Sequence, residues 1–212
     1  MRVIARWGVA LLFLLAISTS AVSASTVTGT IYLNVPASGD ASNINNYSSS
    51  LARADFTVGP LGINFTSPPN AFTPAGFLNN PVFTNQQNGF NPNGSILNMA
   101  LLLTGQVYLN SGNNSFVVGH DDGVVLDITG IGNVVNAPGP TGFTNTPFNV
   151  VAPSAGLYDF TLKYTECCSP PADLLWEIND QPVGTVPEPS VLLMMGSGLF
   201  GLGVTMRKRF RR

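Results

Sequence analysis

Residues 25–178 are predicted to form an all-β domain, an antiparallel β-sandwich, on three observations. Apolar residues recur with a period of two over short stretches, clusters of Gly, Pro, Asn and Ser separate those stretches, and no stretch carries a helical period. Short half-apolar strands can bury their faces only against one another, which two packed sheets achieve. Residues 1–24 read as an N-terminal signal peptide. A C-terminal transmembrane helix follows the domain after a linker over 179–186.

Thr26–Val35 alternates, with Val27, Ile31, Leu33 and Val35 on one face and Thr28, Thr30, Tyr32 and Asn34 on the other. Pro36–Ser50 is a polar loop, and Ala54–Val58 and Leu61–Thr66 are short strands parted by Gly59-Pro60. Ser67–Gly94, rich in proline and asparagine, reads as a long irregular excursion. A structureless segment of that length in a compact domain marks a functional element or a hidden strand. Ile96–Leu103, Gly105–Leu109, Ser115–Gly119 and Val124–Thr129 are strands, and His120–Gly123 is a tight connection across which the last two are expected to pair. Gly130–Thr146 reads as a loop. Phe148–Val151, Leu157–Tyr164 and Leu174–Ile178 complete eight or nine strands, with Tyr158, Phe160, Leu162 and Tyr164 on one side and Trp176 in the core.

The two ends carry most of the positive charge. Arg2 and Arg6 precede an apolar run Val9–Ile17 and a small-residue stretch ending at Ala24, the three parts of a cleavable secretion signal. Outside the terminal segments only Arg53 and Lys163 stand against ten acidic residues, so residues 25–186 carry a net charge of −8. A surface that acidic offers no phosphate contacts, which excludes nucleic acid as a partner.

At the other end, Val191–Met206 has no charged residue over sixteen positions, and five of the last six residues, 207–212, are basic. Sixteen helical residues span roughly 24 Å, slightly less than a hydrocarbon core of about 30 Å. The basic cluster fixes the tail on the cytoplasmic side. Immediately before the run stand Pro187, Glu188 and Pro189. The order of a P-E-P tripeptide, an apolar segment and a basic tail over 187–212 resembles the PEP-CTERM sorting signal of exopolysaccharide-producing Gram-negative bacteria. The resemblance implies export through the inner membrane, a transient membrane anchor, and processing by a membrane-embedded exosortase that leaves the protein at the cell surface or in the extracellular matrix.

Two short motifs are candidates for chemistry. Asp121-Asp122-Gly123 lies at a turn, where Asp and Gly are ordinary turn formers. Two adjacent carboxylates on a turn can also supply part of the six to eight oxygens that Ca²⁺ takes, the rest coming from neighbouring loops. The second motif, Glu166-Cys167-Cys168-Ser-Pro-Pro, contains the only two cysteines. In an oxidising compartment an adjacent pair closes a tight, strained ring, which would hold a ligand-binding loop of Glu166, Cys167, Cys168 and Asp173 in one shape.

Ser115–Ile128, with its strand, Asp-Asp-Gly turn and second strand, followed by the Gly156–Glu166 strand, resembles the core of a protective-antigen-type domain, the sandwich of flocculins and adhesins. In lectins of that family paired aspartates grip Ca²⁺, often across a cis peptide bond, and the ion takes sugar hydroxyls. The resemblance therefore implies that Asp121 and Asp122 are metal ligands, that Ca²⁺ is a cofactor, and that an extracellular polysaccharide or glycan is a partner. The family's strand after the turn usually ends in Asp-Gly, where Thr129-Gly130 stands here. Asn133, Asn136, Glu166 and Asp173 are the candidates for a third side-chain ligand.

No enzyme is expected. His120 is the only histidine, no Gly-x-Ser-x-Gly elbow is present, and adjacent aspartates cannot flank a glycosidic bond from opposite sides. The expectation is an exported adhesion module that binds carbohydrate with Ca²⁺, with a structural matrix component lacking a ligand site as the alternative.

Overall fold

The computed structural model describes residues 26–67 and 72–184. The signal peptide expected at 1–24, the tripeptide Pro187–Pro189, the apolar run and the basic tail lie outside the described residues. Twelve strands form: β1 Thr28–Leu33, β2 Ala52–Thr57, β3 Asn64–Thr66, β4 Thr84–Gln87, β5 Met99–Leu109, β6 Gly112–His120, β7 Val124–Ile128, β8 Gly132–Ala137, β9 Thr144–Ala152, β10 Gly156–Glu166, β11 Asp173–Ile178 and β12 Gln181–Pro182. Helix among the described residues is limited to a 3-10 turn, Ile44–Tyr47, and a single α-turn, α1, Pro74–Phe77. α1 starts as a helix should, with proline in its first turn and the Thr73 hydroxyl accepting the Gly76 N–H.

The strands pair antiparallel in two sheets, one ordered β4-β2-β1-β5-β10-β7-β8 and the other β12-β11-β6-β9 with β3 also on β11. The period of two read from the sequence is what fills the space between them. Leu101 and Leu103 of β5 and Phe160, Leu162 and Tyr164 of β10 face Phe116 and Val118 of β6 and Leu174 and Trp176 of β11, all buried. Trp176 meets Phe160 edge-on with ring centres 4.8 Å apart, so one aromatic pair bridges the two sheets. Tyr158, at the end of the same β10 stripe, is half-buried and gives its hydroxyl to the Ser154 carbonyl.

Several boundaries differ from those expected. Ile96–Leu103 and Gly105–Leu109 are parts of one strand, β5, which passes through Gly105 while paired to β10 along its whole length. The excursion after Ser67 contains α1 and β4. β4 is exposed throughout and pairs only with β2, so it has no buried face to write an alternation into the sequence. The loop expected at 130–146 contains β8 and the start of β9; β8 is an edge strand with only Val135 buried.

The linker expected at 179–186 is in large part folded. Asn179 and Asp180 take positive φ values of 51° and 62°, the geometry of a two-residue hairpin turn, and return the chain into β12. Val183 is buried, gives its N–H to the Trp176 carbonyl at 2.9 Å and accepts from Ile63 at 2.7 Å. Finally, β6 and β7 were expected to pair across the acidic turn, and they belong to different sheets. The turn is a crossover between the two layers, which carries its acids to the pole of the sandwich.

Candidate functional site

The acidic turn is held by backbone on every side. β6 ends with Phe116, Val118 and His120 on its inward stripe, and His120 is buried at the mouth of the crossover. Its Nδ1 lies 2.6 Å from the Asp122 carbonyl oxygen, which can only accept, so Nδ1 is the protonated nitrogen. The Asp121 N–H goes to the Asp173 carbonyl at 2.9 Å and the Asp122 N–H to the Thr141 carbonyl at 2.8 Å. Asp122 sits at φ 67°, a left-handed conformation that Asp tolerates better than most residues. Its Oδ2 accepts the Cys167 N–H at 2.6 Å and its Oδ1 the Thr141 N–H at 3.2 Å. One carboxylate thus joins the crossover, the Thr141 loop and the cysteine loop.

Gly123 completes the turn because nothing larger fits. A Cβ there would run into the Pro138 carbonyl oxygen and lie 2.7 Å from the Gly39 carbonyl oxygen and 2.9 Å from the Ala41 nitrogen. Backbone atoms cannot swing aside as a side-chain tip can. Gly123→Ala is therefore expected to cost about 1–3 kcal/mol by overpacking, read as a lower urea midpoint at unchanged slope.

Cys167 and Cys168 are joined in a disulfide with Cα atoms 3.7 Å apart. Cys167 is buried and Cys168 exposed. Their sulfurs lie within 4.8 Å of an Asp122 carboxylate oxygen. Bonded to each other, they offer no thiolate to a metal, so the pair shapes the loop and does not ligate. The only cis peptide bond among the described residues is Pro170–Pro171, on the same loop; the Asp121–Asp122 bond is trans, unlike the cis bond that the resemblance implied.

Four carboxyl groups gather at this pole. Burial and the neighbouring Asp122 and Asp173 carboxylates push Asp121 up to about 6. Burial also raises Asp122, against the pull of the Cys167 and Thr141 amides, and raises Asp173 against a hydrogen bond from Thr66. Glu166 is the extreme case. It ends β10 on the stripe of Phe160, Leu162 and Tyr164, is 0 % exposed, and is pushed up to about 9 by burial and by Asp122, Asp121 and Asp173. Its Oε2 accepts the Tyr164 hydroxyl at 2.9 Å, while Oε1 is buried with no hydrogen-bond partner.

Of the residues expected in the site, Asp121, Asp122, Glu166, Cys167, Cys168 and Asp173 come together. Asn133 does not: its amide is taken by Asp127 Oδ1 at 3.0 Å near the far end of β7. Asn136 lies on the exposed outer face of β8 opposite Val125. His120, Thr141 and Tyr164 were not expected as parts of the site. For Glu166 and His120 a signal existed, since each continues an inward apolar stripe by one further step of two. Thr141 sits in a loop with no pattern to mark it.

The chain leaves the described domain at the opposite pole. Gly184 packs beside Val27 and Val58, and Val27 lies six residues before Leu33, whose partner Met99 pairs with Glu166. That separates the exit from the acidic turn by roughly 20 Å along the strands.

Residues 185–209 match the PEP-CTERM protein-sorting motif. No curated protein matches the sequence. Among solved structures, the chain is similar to a PA14 sugar-binding domain from an RTX adhesin, with a TM-score of 0.52 at 18% identity over 73% of this chain and 89% of that one. It is also similar to the PA14 domain of the MpAFP antifreeze protein, with a TM-score of 0.48 at 17% identity over 72% and 79%. A third is the Epithelial Adhesin 9 A domain from Candida glabrata in complex with Galβ1-4GlcNAc, with a TM-score of 0.38 at 12% identity over 73% and 81%. The likeness to the first of these shows a PA14-type fold.

Proposed function

We propose that this chain is an exported surface or matrix protein whose PA14-type sandwich binds carbohydrate through a Ca²⁺ ion held by Asp121 and Asp122, and that an exosortase processes its C-terminal signal. The observation that carries the reading is the convergence of Asp121, Asp122, Glu166 and Asp173 on one pole, with Glu166 Oε1 buried and unpartnered. Asp121 feels the charges of Asp122 and Asp173, and a hard divalent cation with oxygen ligands relieves that repulsion. Asp121 and Asp122 would hold the ion directly. Glu166, fully buried and pushed up to about 9, keeps its proton at neutral pH in the metal-free chain and releases it only as a cation or alkali compensates the charge. A bound Ca²⁺ with open positions takes neighbouring hydroxyls of a sugar. The Cys167–Cys168 loop, tied to Asp122, presents a preformed wall to that sugar. The exit at Gly184 supports an orientation in which the anchor faces the membrane and the acidic turn faces outward. The reading is of binding and not of hydrolysis, because adjacent aspartates cannot flank a glycosidic bond from opposite sides.

Calorimetry of residues 25–186 with CaCl₂ tests the reading. Saturable binding near one ion per chain is expected at pH 7.5. It should weaken at pH 5, because Asp121, with its pKa pushed up to about 6, must lose a proton to bind metal. Asp121→Ala is expected to lower the affinity at least a hundredfold. Equal heats for wild type and the variant would remove the ion. A glycan array read with and without EDTA then tests sugar binding, and self-association with a silent array would favour a purely structural matrix role.

A further inference from the structure

The outer face of the seven-stranded sheet holds an open groove of 330 Å³ lined by Thr28, Thr30, Asp55, Thr57, Thr84 and Thr104, among others. Strand register explains its character. Thr57, Thr28, Thr104 and Thr161 stand side by side on β2, β1, β5 and β10, a row of four hydroxyls at the strand spacing of about 4.8 Å. One step along the strands, Asp55, Thr30 and Leu102 form the next row. β4 closes one side. At one end stands the 3-10 turn, whose Tyr47 ring packs edge-on against Tyr32.

Threonine on the solvent side of a strand is ordinary. The surroundings are not. A bare sheet face is commonly covered by long charged side chains, and the two basic residues of this face are engaged elsewhere: Lys163 Nζ lies over the Tyr47 ring at 5.6 Å, and Arg53 binds Gln87 Oε1 at 3.0 and 3.2 Å. What faces the groove is a set of hydroxyls around one carboxylate, each with acceptor capacity left over from the bonds they make to one another and to Asp55. Asp55 is aimed by Thr30 Oγ1 at 2.7 Å on one oxygen and by Asn85 Nδ2 at 2.8 Å on the other. Burial raises its pKa, but hydrogen bonds from Asn85 and Thr30 and the charge of Arg53 outweigh that and hold it below the usual value. An ionised carboxylate with one partner on each oxygen keeps a second acceptor site on each.

We infer that this groove is a second glycan site, separate from the acidic turn and independent of any cation, that takes a neutral polysaccharide strand. Adjacent hydroxyls of a sugar donate to the two free acceptor sites of Asp55 and to the threonine oxygens, whose own protons point to Asp55 from Thr30 and Thr84 and are shared at 3.4 Å between Thr28 and Thr104, and Leu102 offers contact to a C–H face. The volume is in the range of small-ligand sites, about 300–1,000 Å³. Charge selects among polymers: the groove has an ionised acid and no basic lining group, on a domain of net charge −8, so an acidic polysaccharide is repelled. Two sites on one domain would hold a single long polymer more tightly than either alone.

The test uses the full chain in detergent, immobilised, in EDTA to silence the acidic turn, with dextran, mannan and galactan as neutral probes and alginate as the acidic one. At least one neutral polymer should be retained in EDTA. Asp55→Asn, and separately the near-isosteric pair Thr28→Val/Thr104→Val, should each weaken that retention at least tenfold with unchanged thermal midpoints. Asp121→Ala should leave it unaltered, so loss of calcium binding and loss of the groove are read apart. Failure of every neutral polymer to bind in EDTA, retention indifferent to both variants, or a preference for alginate overturns the inference.

Discussion

Glu166→Gln is expected to make the metal-free protein more stable at pH 9 by several kcal/mol while changing little at pH 5. The glutamate is pushed from 4.5 up to about 9 in the folded protein, chiefly by burial and then by Asp122, Asp121 and Asp173. Between those two values the folded chain holds a proton that the unfolded chain has released. Stability contributed by that proton is complete below about 4.5 and is lost as pH rises to about 9, at up to ~1.4 kcal/mol per pH unit. Asp121 adds the same sign over a narrower window, from 3.8 to about 6. Glutamine keeps an acceptor for the Tyr164 hydroxyl and cannot ionise, so it removes the larger slope and leaves the smaller. Urea unfolding in EDTA at pH 5, 7 and 9 checks this. Wild type should weaken steadily over the series, Glu166→Gln should not, and Ca²⁺ should restore wild type most at the alkaline end. A wild-type curve flat from pH 5 to 9 would mean that Glu166 titrates normally and that the pole does not concentrate charge.

The same residue shows what a sequence discloses and what it hides. Period-two alternation made β1, β5, β6, β7, β10 and β11 legible because each buries one face. β4 and β8 were illegible for the converse reason: at the sheet edges they bury almost nothing, so composition alone spoke, and it spoke of loops. The β11–β12 hairpin was hidden by its size, two residues of strand after an Asn-Asp turn. Asp121 and Asp122 were visible as an unusual pair, but not that β6 and β7 lie in different sheets, since pairing partners are set by packing far along the chain. Glu166 was assigned to a loop, although the stripe 158, 160, 162, 164 extends by one step to 166. An acid on a buried stripe conflicts with the local pattern, and such conflicts concentrate at functional sites.

The two aspartates, alike in sequence, are expected to respond differently to the same substitution, Asp122→Ala with a clear loss of stability and Asp121→Ala with none. In Asp122→Ala the buried Cys167 N–H and the Thr141 N–H both lose their acceptor, a carboxylate at 2.6 and 3.2 Å. Each orphaned amide costs about 1–3 kcal/mol, less where water can reach it, as it can at exposed Thr141, giving a loss of about 2–4 kcal/mol for the pair. Asp121→Ala removes a carboxylate raised to about 6 by burial and like charges, so at neutral pH without metal it relieves repulsion and should leave stability unchanged or slightly higher. The division gives Asp122 two tasks, pinning the cysteine loop to the crossover and offering its remaining lone pairs to the cation, and gives Asp121 the cation alone. Parallel urea curves in EDTA and with 10 mM Ca²⁺ (roughly ten- to a hundredfold above the 10⁻⁴–10⁻³ M Kd of extracellular modules) separate the roles. Wild type should gain about 1–3 kcal/mol from that metal and Asp121→Ala should gain little. If Asp121→Ala destabilises the metal-free chain as much as Asp122→Ala does, both acids are structural, and the cation has no site to enter.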